Sequence, residues 1–182
     1  MTATEWMLDA SAGELLVTTG VTGPAAKMGH RLTIAMTSWQ AGVRWADGTP
    51  AEVVMTVDVD SLEVRRGEGG VKGLSGPEKA LARSNALSVF DASRFPHIRF
   101  SADDISPTDS GYRLAGTLEI HGTPRPCAVE LQVDDLGDTW RMSGQAEVRH
   151  SEFGMKPYSM MMGTMKVTDA VRVTFAAERA KD

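Results

Sequence analysis

Apolar and polar residues alternate with period two through most of this chain, the pattern of strands that bury one face. In HRLTIAMT, Leu32, Ile34 and Met36 share one parity, while Arg31, Thr33 and Thr37 hold the other. The parity then slips by one, because Trp39, Ala41, Val43 and Trp45 continue on the opposite register. Such a slip predicts a bulge or a turn near Ser38. Val53, Met55, Val57 and Val59 alternate in EVVMTVDVD, and Ile98, Phe100 and Ala102 in HIRFSADD. Further on come Leu114, Leu118 and Ile120, then Cys127, Val129 and Leu131, then Met142, Ala146 and Val148, and finally Val171, Val173 and Phe175. Turn signals at 47–48 (DG), 109–111 (DSG) and 136–138 (LGD) separate these runs.

One segment departs from the alternation. SGPEKALARSNALSVF offers Pro77 where a first helical turn tolerates proline and Glu78 where the helix dipole favours an acid. Ala80, Leu81, Leu87 and Phe90 supply an apolar stripe, and Arg94-Phe95-Pro96 ends it. The pattern predicts one helix over about 77–90, inserted between strands. The fold class is therefore all-β with one short helical insertion. Many antiparallel strands with one apolar face must hide those faces together, in a sandwich or a closed barrel. Alternation alone does not separate the two.

The chain has 182 residues, which suits one domain over 1–182. Hydrophobic residues make up 42%, enough for a real core, and the net charge of −5 argues against a nucleic-acid partner. A single cysteine, Cys127, excludes an intramolecular disulfide and a multi-cysteine zinc site. The start, MTATEWMLDASAGELL, has neither the basic nor the apolar region of a secretory signal. No apolar run approaches the roughly 20 residues of a membrane span. A cytoplasmic location is the expectation.

Candidate chemistry is sparse. His30, His97, His121 and His150 are not spaced as metal ligands, and no metal site is expected. No nucleophile-elbow motif occurs, and Asp58, Asp60 and Glu63 read as a solvated face. The glycine-rich RRGEGGVKG fits neither phosphate-loop pattern. His121 ends an apolar run just before Gly122, Pro124 and Pro126, residues that turn and stiffen a chain. With no second catalytic partner at hand, GTLEIHGTPRP reads as a corner between two strands, and no catalytic or cofactor-binding residue is assigned. Eleven methionines against five phenylalanines is an unusual balance, suited to an adaptable apolar surface.

The corner also carries a resemblance. GTLEIHGTPRPCAVEL is similar to the signature hairpin of the YceI-like family, although Pro124 directly after Thr123 alters its loop pattern. FPHIRFSA (95–102), SEFGMKPYSMMMGTMKVTDAV (151–171) and the early TGPAAKMGHRL with TSWQAGV resemble other family segments, in the family's order. The resemblance implies an extended, lipocalin-like antiparallel barrel, often a homodimer, whose apolar pore holds a polyprenyl lipid or the tail of an isoprenoid quinone. On strand parity the implied pore is lined by Leu32, Ile34, Met36, Val57, Phe100, Leu118, Ile120, Leu131 and Phe175, with Phe153, Met160 and Met162 shaping it. His30, Trp39 and Arg125, near strand ends, are the candidates for its mouth. Two other readings stay open: an enzyme acting on a hydrophobic substrate in the same pocket, and a structural or stress-related dimer with a filled interior.

Overall fold

The alternating runs fold as strands whose apolar parities face a common interior. A computed structural model describes residues 4–70 and 72–181. The strands are β1 (Thr4–Asp9), β2 (Gly13–Thr18), β3 (Val21–Thr22), β4 (His30–Met36), β5 (Trp39–Ala46), β6 (Thr49–Asp58) and β7 (Leu62–Gly69). One α-helix, α1 (Gly76–Phe90), precedes β8 (His97–Pro107), β9 (Gly111–Ile120), β10 (Thr123–Asp135) and β11 (Thr139–Arg149). The short β12 (Ser159–Met160) and β13 (Met165–Val167) lead into β14 (Ala170–Ala180).

Eleven of these strands form one antiparallel sheet in the order β1-β5-β6-β8-β9-β10-β11-β14-β2-β4-β7, and β12-β13-β3 form a second small sheet. The large sheet is all-β and curled, of the lipocalin-like kind. Its two halves are stitched together by the chain rather than by a ladder. Residues 10–12 link β1 to β2, Thr37–Ser38 link β4 to β5, and a 3-10 turn at Val59–Ser61 links β6 to β7. Each link joins one flank of the sheet to the other. The predicted parity slip near Ser38 is the second of these crossings. Ser38 Oγ donates to Asp58 Oδ2 at 2.6 Å, Thr37 Oγ1 to the Ser61 carbonyl at 2.8 Å, and Ser61 Oγ to the Asp58 carbonyl at 2.7 Å. Asp58 thus ends β6 at a crossing, Asp60 lies within it and Glu63 stands on β7, so the three do not share one strand face.

Local chemistry explains the remaining turns. Asp47 and Gly48 have φ of 54° and 77°, and His121 and Gly122 have 56° and 70°. Two consecutive positive φ values give the two-residue hairpin whose twist matches its strands. The corner at His121 is therefore a tight β9–β10 hairpin. The His121 ring leans on Phe95, with centroids 4.7 Å apart, and its Nδ1 donates to the Phe153 carbonyl at 3.3 Å. Pro124 and Pro126 lie on the stretch of β10 that pairs with β9 alone, since β11 pairs only with Leu131–Asp135. A strand laddered on one side is where proline is tolerated.

The helix begins one residue before the predicted start. Ser75 caps it: the Glu78 amide donates to Ser75 Oγ and the Ser75 amide to Glu78 Oε1, both at 3.3 Å, with Pro77 in the first turn. Arg83 ties α1 to the β6–β7 crossing, its Nε donating to the Leu62 carbonyl at 2.8 Å and its Nη2 to the Asp60 carbonyl at 2.5 Å.

Candidate ligand-binding site

The inward side chains of the curled sheet do not meet along its whole length. They enclose a cavity of about 550 Å3, within the roughly 300–1,000 Å3 typical of small-molecule pockets. Leu32 and Ile34 of β4, Val57 of β6, Phe100 of β8, Leu118 and Ile120 of β9, Leu131 of β10 and Phe175 of β14 all stand on its wall. Leu8 of β1 and Leu15 and Val17 of β2 also stand on it. These three were not singled out in the sequence, although TEWMLD and GELLVT carry short apolar runs of the same kind.

Helix α1 covers the cavity with Leu81, Ala82, Asn85, Ala86, Val89 and Phe90. Their i, i+3, i+4 spacing is one helical face. Ala80 and Leu87, expected on the apolar stripe, lie off this face. Six of the eleven methionines (Met28, Met55, Met142, Met155, Met160 and Met165) touch the cavity. An unbranched, polarisable side chain suits a surface that must fit more than one shape.

Five expected site residues stand elsewhere. Met36 is inward by parity but belongs to the buried cluster that includes Trp39, Val57 and Leu62. Phe153 lies on a 3-10 turn after β11 and packs with Ile120, Val148 and Met155, off the cavity. Trp39 is not at a mouth: it is 2% exposed and meets the Phe175 ring edge-on at 5.3 Å. Arg125 turns away, its Nε donating to the Glu152 carbonyl at 2.6 Å. Met162 is fully exposed and off the wall. Of the mouth candidates, His30 alone reaches the lining, where its Nε2 donates to the Lys72 carbonyl at 2.6 Å.

The cavity opens where its lining meets solvent. Leu81 is 60% exposed, Met28 53% and Met160 43%, with Tyr158 beside them. Titratable side chains on the lining are few, and His30, Glu78 and His150 among them are already engaged. His150 Nδ1 donates to the Asp169 carbonyl at 2.8 Å. The Ser75 side chain, with the Ser75 amide, holds the Glu78 carboxyl below its ordinary range. Burial pushes the Cys127 thiol up, helped by the Glu152 carboxylate, so it stays protonated at neutral pH and is a poor nucleophile. Among the described residues no group of three or more His, Cys, Asp or Glu side chains could hold a metal ion. Among the described residues, too, no helix is long and apolar enough to cross a membrane.

A curled antiparallel sheet around an apolar cavity, covered by one helix, defines a barrel-type fold that binds hydrophobic ligands. The chain belongs to the YceI-like family, whose domain model matches residues 6–179, a family of generally non-catalytic binding proteins. Among solved structures it is similar to Burkholderia cenocepacia BcnA, with a TM-score of 0.70 at 18% identity over 95% of this chain and 99% of that one. It is also similar to a Campylobacter jejuni YceI protein, with a TM-score of 0.62 at 12% identity over 82% of this chain and 84% of that one. At such identities the likeness concerns the fold. No curated protein matches the sequence.

Proposed function

We propose that the protein is a non-catalytic carrier or store for an isoprenoid-type lipid, either a polyprenyl chain or an isoprenoid quinone. The observation that carries this reading is the cavity, whose wall is built mainly of aliphatic, methionine and phenylalanine side chains. An isoprenoid tail offers only apolar surface and methyl branches, which such a wall can meet without leaving a polar group unpaired. Each buried methylene contributes roughly 0.8 kcal/mol, so about fifteen buried carbons supply ~12 kcal/mol before ordering costs. Ordering and lost freedom take back several kcal/mol, which leaves affinity in the micromolar range. The mouth, with His30 and Lys166 on the lining, offers hydrogen bonds to a polar head group.

The test is mass spectrometry of an organic extract from gently purified protein, beside a matched unrelated barrel. A stoichiometric isoprenoid species is the expected result. An empty extract, from protein that also takes up no added quinone or polyprenol, would overturn the reading.

A further inference from the structure

Beside the mouth the small sheet β12-β13-β3 carries two 3-10 turns, Ala26–Met28 and Met161–Gly163. They form one platform, since the Ala25 amide donates to the Thr164 carbonyl at 2.9 Å. The first turn displays Met28. The second displays Met161 and Met162, 47% and 103% exposed, next to Met160 of the lining. Apolar side chains held together in water mark a surface that meets something else.

The backbone makes the same point independently. Met161 and Met162 have φ of 54° and 58°, a left-handed conformation that non-glycine residues seldom adopt. Neither side chain lines the cavity or packs with a buried cluster, so no interior contact offsets that cost. What the conformation achieves is display. Charge completes the surface: Lys27 in the first turn and Lys166 on β13 are exposed, and neither forms an ion pair among the described residues. Glu78, the acid on the lining, is engaged by Ser75.

We infer that this platform docks the mouth onto an anionic lipid bilayer, with Met161 and Met162 entering the interface and Lys27 and Lys166 meeting lipid phosphates. A second copy is the weaker occupant, because a two-fold contact packs this patch against itself and brings four like-charged lysines into one interface. The purpose of docking rests on the carrier reading: a lipid that leaves a bilayer at the mouth never crosses water.

The test is co-sedimentation with phosphatidylcholine vesicles with and without phosphatidylglycerol, run beside quinone uptake by the wild-type protein in vesicle-free solution. The wild type is expected to bind the anionic vesicles. Met161→Asp with Met162→Asp is expected to weaken that binding at least about tenfold with an unchanged melting temperature, since aspartate tolerates positive φ. Lys27→Glu and Lys166→Glu are each expected to cost about fivefold or more, an effect that salt erases. Vesicle binding that ignores both pairs of substitutions overturns the inference. So does a wild-type protein that takes up quinone but does not bind vesicles, and that result leaves the carrier reading standing. Vesicle binding without quinone uptake does the reverse. Loss of a dimer in the Asp variant, with no vesicle binding, assigns the patch to a second copy and also overturns it.

Discussion

The two ends of the curled sheet are built from the same alternating strands, yet one is solid and the other hollow. At the solid end the three crossings bring the flanks together, and Trp39, Val59 and Leu62 are each at most 2% exposed. Register confirms that these residues share a level, since Met36 stands opposite Leu62 and Trp39 opposite Val57. At the other end β4 starts at His30 and β7 runs out at Gly69, and the flanks are joined through the long link that carries α1 from β7 to β8. There the helix and the methionine-bearing turns cover the gap without filling it. The difference lies in how the chain crosses, because a link of two or three residues fixes the distance that side chains must span.

The sharpest way to break this comparison is to remove volume at each end. Trp39→Ala leaves a hole in a filled, rigid region and is expected to cost about 3–5 kcal/mol. Leu118→Ala already faces a void, and a loss of about 2 kcal/mol, at the low end of the range for core leucines, is expected. Urea denaturation of both variants measures the gap. Equal losses would mean that the cavity wall is packed as tightly as the solid end.

Adding volume sharpens the contrast from the other side. Ala177 is 2% exposed in the filled cluster, so Ala177→Phe is expected to destabilise by about 1–3 kcal/mol or more. Ala146 stands on the cavity wall, so Ala146→Phe fills empty space. It is expected to change stability by less than about 1 kcal/mol and to lower quinone uptake about tenfold or more. Thermal melts and a fluorescence titration with quinone separate the two effects.

The same contrast explains what could be read from the sequence. Parity alone placed Leu32, Ile34, Val57, Phe100, Leu118, Ile120, Leu131 and Phe175 on the inner side, and all eight line the cavity. It says nothing of position along the axis, so Met36, inward like Leu32 and Ile34, fell at the filled level. Trp39 looked like a mouth residue because it starts a strand. That strand starts at a crossing, where the walls are nearest. Phe153 follows the end of β11, where the chain leaves the sheet and parity has no meaning. The covering face of α1 was blurred because Ala82, Asn85 and Ala86 are small or polar, and a cavity asks less of a helix than a packed core does. Met162, expected to shape the pore, is instead displayed beside Met161, since strand parity has no meaning on a turn with left-handed backbone.

At the hollow end the helix is held by its cap and by Arg83 more than by burial, for no residue of α1 is fully buried. Ser75→Ala removes the Oγ that accepts from the Glu78 amide, while the Ser75 amide can still donate to Glu78 Oε1, and is expected to cost about 1 kcal/mol. Because α1 covers the cavity, the helix amides are expected to exchange faster than those of the β9–β10 hairpin. Hydrogen exchange read residue by residue checks this. Uniform acceleration across the sheet would show that the helix belongs to the same cooperative unit as the solid end.

The smallest effect probes the wall itself. Cys127 is half-buried on the part of β10 that β11 does not pair, and it touches the cavity. Burial raises its pKa first, and the Glu152 carboxylate adds to the shift. A raised folded-state value means that the folded protein keeps this proton at a pH where the unfolded chain has lost it. The contribution to stability is therefore complete below the unfolded thiol value of about 8.5 and is lost as pH rises through the folded value. Reaction with a thiolate-selective disulfide reagent is expected to be slow at neutral pH and to accelerate at higher pH than in the urea-unfolded chain. A ligand seated in the cavity should slow it further, because it shields the same wall. If the folded and unfolded thiols ionise together, water reaches the wall through the unpaired stretch of β10, and the hollow end is wet rather than apolar.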